Sequence, residues 1–157
     1  MPTGVPSRMA RVRVAVIDVG ANTLRLLVAG ANGSRLEKVR EERRRTMLGE
    51  DVERFGRLTE EKIERSAEAA RKEVRRARKL GAARIEIVVT SPWRNAENGR
   101  DLVAALAGAT DSRVRALSEE EEAELGFVGA LSRTEVDREP VAVCDVCLLY
   151  TSDAADE

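Results

Sequence analysis

Two apolar runs, Val12–Ile17 and Leu24–Ala29, flank the short insert Asp18-Val19-Gly20-Ala21-Asn22-Thr23. The first run is almost wholly β-branched or apolar, as expected of a strand buried on both faces. The second reads as another strand, and Gly30–Ser34 as a turn into a polar third strand over roughly Arg35–Arg45. Ile63, Ala67, Ala70, Val74 and Ala77 recur at three- and four-residue steps after Thr59, which predicts a capped helix closing at Leu80-Gly81. Its outer face is expected to carry the pairs Glu68/Lys72 and Glu73/Arg76. A buried strand follows over Ile85–Thr90, then a short helix over Asn98–Ala107 ending at Gly108, and a strand over Val114–Leu117. Ser118 opens a helix through about Leu131, and Val141–Val146 forms a last strand. Three adjoining strands make a meander, and the later alternation implies parallel crossovers, so the pattern predicts a mixed α/β sheet flanked by helices.

Composition narrows the chemistry. The 157 residues suffice for one domain with a real core and fall short of two average ones. A net charge of −1 from 27 basic and 28 acidic residues gives no global pull toward nucleic acid or membrane. No apolar run approaches the length needed to cross a bilayer, and residues 1–10 read as a loose leader. Two cysteines, Cys144 and Cys147, give no disulfide framework and suit a reducing cytoplasm. Histidine is absent, which excludes Ser-His-Asp and Cys-His centres and imidazole zinc sites. Acid–base work is left to carboxylates, lysines or the single Tyr150.

"VAVIDV" at Val14–Val19 returns as "VAVCDV" at Val141–Val146. Short apolar strands repeat by chance, but the shared terminal aspartate suggests two related halves, each delivering an aspartate into a loop. Cys147–Glu157 lacks the glycine and turn chemistry of the first copy. Back-translated, it resembles one reading frame of a transposase adapter used in sequencing libraries, so the natural sequence is expected to stop near Val146; a genuine polar tail is the alternative.

Three stretches carry candidate chemistry. In the first loop, Gly20 admits unusual backbone angles, and successive amides with the Asn22 carboxamide and Thr23 hydroxyl suit phosphate oxygens. Asp18 fits there if a divalent cation or water stands between it and the anion. The plain alternative is a hairpin turn built from stock residues. "TSPWRNAEN", Thr90–Asn98, follows a buried strand at the end where open α/β sheets bind ligands. Arg94 there is either a fork for phosphate or a surface arginine, Trp93 reads as packing, and Asn98 as a helix cap or a ligand contact. "SEEEEAELGFVGA", Ser118–Ala130, opens with a capping box, Ser118-x-x-Glu121. Four consecutive glutamates exceed what capping needs, and their repulsion would raise the proton affinity of at least one, as a general base requires.

These stretches, in this order, resemble the exopolyphosphatase/guanosine pentaphosphate phosphatase family, relatives of actin, sugar kinases and heat-shock ATPase domains. "DVGANTLRLLV" matches the family's D-x-G-S-N-[ST]-x-[RH]-L with Ala21 in place of serine. "VTSPWRNAEN" matches ATSAxRDAxN with Pro92 in place of alanine, and "SEEEEAELGFVGA" matches SGxEEAxLxFxGA with Glu119 in place of glycine. The resemblance implies an actin-like, ribonuclease H-like first domain over residues 11–117 and a truncated second domain over 118–146. It implies phosphate binding by Gly20, Ala21, Asn22, Thr23 and Asn98, and charge stabilisation by Arg94. Glu121 would activate the attacking water, and Asp18 and Asp145 would hold Mg2+. The expected substrate is polyphosphate or a guanosine polyphosphate, cleaved in the cytoplasm by a parent carried as a homodimer, with neither nucleic acid nor membrane as partner. An actin-like sugar or carboxylate kinase and a non-catalytic phosphate or (p)ppGpp sensor are the alternatives. The fragment itself, with half a cleft, is expected to be inactive and marginally folded.

Overall fold

The structure, a computed structural model, describes residues 12–32, 35–132 and 142–143. The chain divides into two compact units, Met1–Ala116 and Leu117–Glu157. In the first, β1 (Arg13–Val19), β2 (Thr23–Asn32) and β3 (Arg35–Arg45) form an antiparallel meander. Two helices follow, α1 (Leu48–Phe55) and α2 (Glu60–Lys79), before β4 (Ala82–Val89) returns parallel to β1. Then come α3 (Ser91–Asn95), α4 (Gly99–Thr110) and β5 (Arg113–Ala116), the last parallel to β4. The strand order β3-β2-β1-β4-β5 makes a mixed sheet of the actin-like α/β class. In the second unit, α5 spans Glu119–Leu131. Of the strand expected over Val141–Val146, only Ala142 and Val143 are described, in neither helix nor strand; Asp145, the leader and Cys147–Glu157 lie outside the described residues.

The sheet does not bury β1 on both faces as its composition suggested. Ala15, Ile17 and Val19 are buried, whereas Val16 on the opposite face is 38% exposed. The buried face joins Leu24, Leu26 and Val28 of β2 and Ile87 and Val89 of β4 to Ala70, Val74 and Ala77 of α2 and Leu102 and Leu106 of α4. Each fully buried Leu or Ile contributes roughly 1.5–3 kcal/mol of apolar transfer, so this one face dominates stability.

Helix α2 follows the sequence pattern, with Thr59 as its cap accepting from Lys62 N at 3.4 Å. Glu73 corrects the expectation of an outer-face pair. It is 1% exposed, because Arg44 of β3 reaches it at 2.6 Å while Arg76 lies at 3.3 Å, so two cations compensate the buried carboxylate. Helix α4 also runs past Gly108, ending only where Asp111 turns left-handed at φ 48°. Leu102, Leu106 and Thr110 line one buried face at four-residue spacing, and that packing carries the helix over the glycine.

Helix α1 has no counterpart in the sequence reading. Its N-cap, Met47, is left-handed at φ 53° and makes no side-chain cap. The helix is instead fixed from outside. Gly49 N donates to Ala21 O at 2.8 Å, and Leu48 is fully buried. Asp51, 4% exposed, accepts from Thr59 N (2.9 Å) and Thr59 Oγ1 (2.6 Å) and meets Lys62 Nζ at 2.7 Å. Burial alone would raise the Asp51 pKa, but the hydrogen bonds from Lys62 and Thr59 outweigh it and hold the carboxyl below the ordinary 3.8. Burial likewise pulls Lys62 down, and its bonds to Asp51 and Glu50 leave it above the ordinary 10.5. Asp51 therefore stabilises the fold fully above pH 3.8, and that contribution is lost as pH falls through its lowered folded-state pKa. Lys62 contributes fully below pH 10.5 and loses its share as pH rises through its raised value. Asp51→Asn should cost about 1.5–3 kcal/mol at neutral pH, since it leaves a half-buried ammonium with only Glu50 and the Met47 carbonyl. Urea titrations across the acid range should show the wild type converging on the variant below pH 3.8; a constant gap would remove this pair from the account.

Candidate phosphate site

The β1–β2 loop is held by its carbonyls. Asn22 O accepts from Thr46 N (3.0 Å) and Met47 N (3.3 Å), and Ala21 O accepts from Gly49 N. Gly20 N donates to Thr23 O at 3.0 Å. Among the described residues no backbone bond takes the Ala21 or Asn22 amides, which leaves consecutive N–H groups for an oxyanion. The β3–α1 segment thus positions the loop by its acceptors and leaves its donors available.

Gly20 corrects one expectation: its φ is not in the left-handed region. A Cβ there would sit 3.5 Å from Thr23 O and 3.7 Å from Thr90 Oγ1, ordinary contacts. Neither backbone angle nor contact distance therefore requires glycine at this position. Thr90 N donates to Val19 O at 3.2 Å, which brings the carboxyl ends of β1 and β4 together. Asp18 occupies the penultimate position of β1, half-buried, with its Oδ1 atom enclosed.

Directly across the strand pair from Asp18 lies Arg25, whose Nε is buried and 3.9 Å from Glu41 Oε1. Arg25 lies within the run Leu24–Ala29, to which the sequence assigns only a strand. It fills the [RH] position of the family motif, and the antiparallel register is what sets it opposite Asp18.

The Thr90–Asn98 stretch splits by role. Pro92 is buried, Trp93 packs against the core, and half-buried Arg94 sits on α3 directly beyond β4. Asn98 stands at the N-cap of α4 but makes no side-chain cap. Its carboxamide instead clamps Leu58, accepting from Leu58 N at 2.8 Å and donating to Leu58 O at 3.0 Å. Both groups on the side chain are thereby engaged with the α1–α2 loop, so the geometry gives Asn98 a positioning role where a cap or phosphate contact was expected. Asn98→Ala should lower unfolding free energy by about 2–4 kcal/mol, because Leu58 is buried and would lose both partners. Denaturant midpoints read this directly, and an unchanged midpoint would return Asn98 to ligand binding.

In the second unit, Ser118 Oγ accepts from Glu121 N at 3.1 Å and Glu121 Oε2 accepts from Ser118 N at 3.0 Å. The capping box holds the Glu121 carboxylate in one rotamer. Among the described residues no cluster of three metal-ligating side chains occurs. Asp18 supplies one hard oxygen donor, and Asp145, the second expected ligand, is outside the described residues.

Exopolyphosphatase 2 of Mycobacterium tuberculosis is 35% identical over 148 residues, covering 88% of this chain and 46% of that protein. The chain thus spans about half the length of the curated relatives it matches. Among solved structures, an exopolyphosphatase-like protein superposes with a TM-score of 0.73 at 31% identity, covering 80% of this chain and 38% of that one. The Aquifex aeolicus Ppx/GppA protein superposes with a TM-score of 0.71 at 26% identity, covering 77% and 40%. The model of the Ppx/GppA phosphatase family matches residues 26–147, and the chain belongs to that family.

Proposed function

We propose that the complete protein containing this chain removes terminal phosphate groups from inorganic polyphosphate or guanosine pentaphosphate. The observation that carries the reading is the convergence of an amide-lined loop at β1 with the Thr90–Arg94 segment at β4, in a chain of the Ppx/GppA phosphatase family. Consecutive amides of the loop grip a terminal phosphate, and the Arg94 guanidinium faces the charge that builds on the transferring group. Glu121 takes the proton from the attacking water, its orientation held by Ser118. Asp18 and Asp145 are the residues that would hold Mg2+. Asp18 fits that cation by its hard carboxylate donor at the strand end, since magnesium is commonly bound through one or two carboxylates plus substrate phosphates. Bound there, the cation would offset repulsion between an anionic nucleophile and an anionic substrate.

A cytoplasmic location is part of this reading, supported by cysteine usage without a disulfide framework. Among the described residues no helix is long and apolar enough to cross a membrane. A homodimeric parent is likewise proposed, and gel filtration with light scattering tests it.

Release of inorganic phosphate from long-chain polyphosphate and from guanosine pentaphosphate by the complete protein, with and without magnesium, tests the function. Magnesium-dependent release from either substrate supports it. ATP-dependent phosphorylation of a sugar or carboxylate, or binding of guanosine polyphosphate without release, would replace it with a kinase or a sensor.

A further inference from the structure

A cavity of about 340 Å³ opens between β3 and the first half of α2, in the first unit and outside the loop described above. Arg43, Arg44, Arg45, Thr46, Lys62 and Arg65 line it, and no carboxylate among the described residues does. We propose that this cavity is a second oxyanion site, taking a phosphate group on the α2 side of the sheet edge.

Two of its cations are fixed in place. Arg44 is anchored through Nε to buried Glu73 at 2.6 Å, leaving its terminal nitrogens for another acceptor. Lys62 is held by Asp51 at 2.7 Å, Glu50 at 3.3 Å and the Met47 carbonyl at 2.5 Å, so it brings charge to the wall while its three protons are engaged. These carboxylates do not line the cavity themselves. Two other cations are mobile partners for a ligand. Arg45 makes no side-chain ion pair among the described residues, and Arg65 has only a 3.3 Å surface pair with Glu61, at 70% and 77% exposure. Such a pair contributes little and yields readily to a stronger anion.

The independent sign of a ligand is Thr46. Thr46 lines the cavity, and its Oγ1, shielded from solvent, has no hydrogen-bond partner among the described residues. A buried hydroxyl without a partner is costly, and a small rotation of the side chain would let it donate to an anion oxygen in the cavity. The basic stretch farther along α2 offers a contrast. Lys72 is paired with Glu68 at 2.8 Å, Arg75 and Arg78 are exposed, and neither arginine lines the cavity. Thr46 also joins the cavity to the phosphate loop through its bond to Asn22 O. The proposal stands on this geometry and does not require the hydrolytic reading.

Isothermal titration of the complete protein containing this chain with sodium tripolyphosphate, and separately with inorganic phosphate, tests it at about 50 mM salt, where screening is modest. Saturable binding should weaken roughly tenfold in Thr46→Val with Arg45→Ser, and independently in the exposed Arg65→Ser, which keeps the test open if the first variant misfolds. Tighter binding of tripolyphosphate would identify a chain as the source and equal binding a single phosphate group; either carries the proposal. Unchanged binding in the cavity variants, with loss confined to Asn22→Ala, would assign the anion to the phosphate loop and overturn it. An equal loss in Arg75→Ser with Arg78→Ser would reduce the effect to diffuse charge and overturn it as well.

Discussion

Glu121→Gln, made in the complete protein, should lower phosphate release by about 10²–10⁴-fold, the usual worth of a positioned general base. The substitution isolates the proton acceptor from the fold. Glutamine serves at the third helical position of a capping box as well as glutamate does, so the bond from Ser118 N survives in the variant. Substrate affinity should hold, because the phosphate grip proposed for the complete protein lies in the β1–β2 loop and not at Glu121. Ser118→Ala provides the complementary measurement. It removes the hydroxyl that accepts from Glu121 N, costing about 1 kcal/mol of stability, yet leaves the carboxylate in place, so turnover should fall far less than in Glu121→Gln. Turnover that survives Glu121→Gln, or a larger loss from Ser118→Ala, would show the residue to be a cap and nothing more. Stopped-time phosphate release alongside denaturant melts separates the two effects.

What could be read from the chain depended on whether the cause was local. Helix α2 was legible because Thr59, the apolar spacing and Leu80-Gly81 act within a few residues of one another. Helix α1 was not, since it starts on an uncapped left-handed methionine and is fixed by Ala21 and Thr59, partners its own eight residues do not contain. The same division runs through the site. Register brings Arg25 opposite Asp18, a relation between two strands that no single run displays. Asn98 occupied the cap position that its residue type suggests, but Leu58, forty residues away in sequence, captured its carboxamide. Glu73 looked like half of a surface pair until β3 delivered Arg44 against it. Spacing within the chain located the candidate groups; contacts between elements decided their jobs.

Glycine illustrates the point most sharply and yields the largest expected stability effect. The loop glycine that sequence logic singled out, Gly20, would tolerate a Cβ at ordinary contact distance. Gly99, unremarkable at the start of α4, would not. A Cβ there would fall 2.6 Å from both the Cα and the carbonyl carbon of Trp93, and closer still to the carbonyl oxygen. No side-chain rotation relieves a clash with backbone, so the α3–α4 turn must open. That opening strains the Gly99 N to Ala96 O bond at 3.0 Å and pulls Trp93 from the core. Gly99→Ala should therefore cost roughly 3 kcal/mol or more, at the upper end for overpacked sites, and lower the melting temperature by about 6–12 °C. Gly108→Ala, in the same helix with nothing within 4 Å of the new Cβ, should be neutral or gain up to about 1 kcal/mol. Because α3 also carries Arg94, Gly99→Ala should displace that guanidinium and reduce phosphate release in the complete protein, whereas Gly108→Ala should not. Equal melting temperatures for the two variants would mean that the turn has room to spare, and the tight approach of α4 to Trp93 would have to be abandoned as the device that places Arg94.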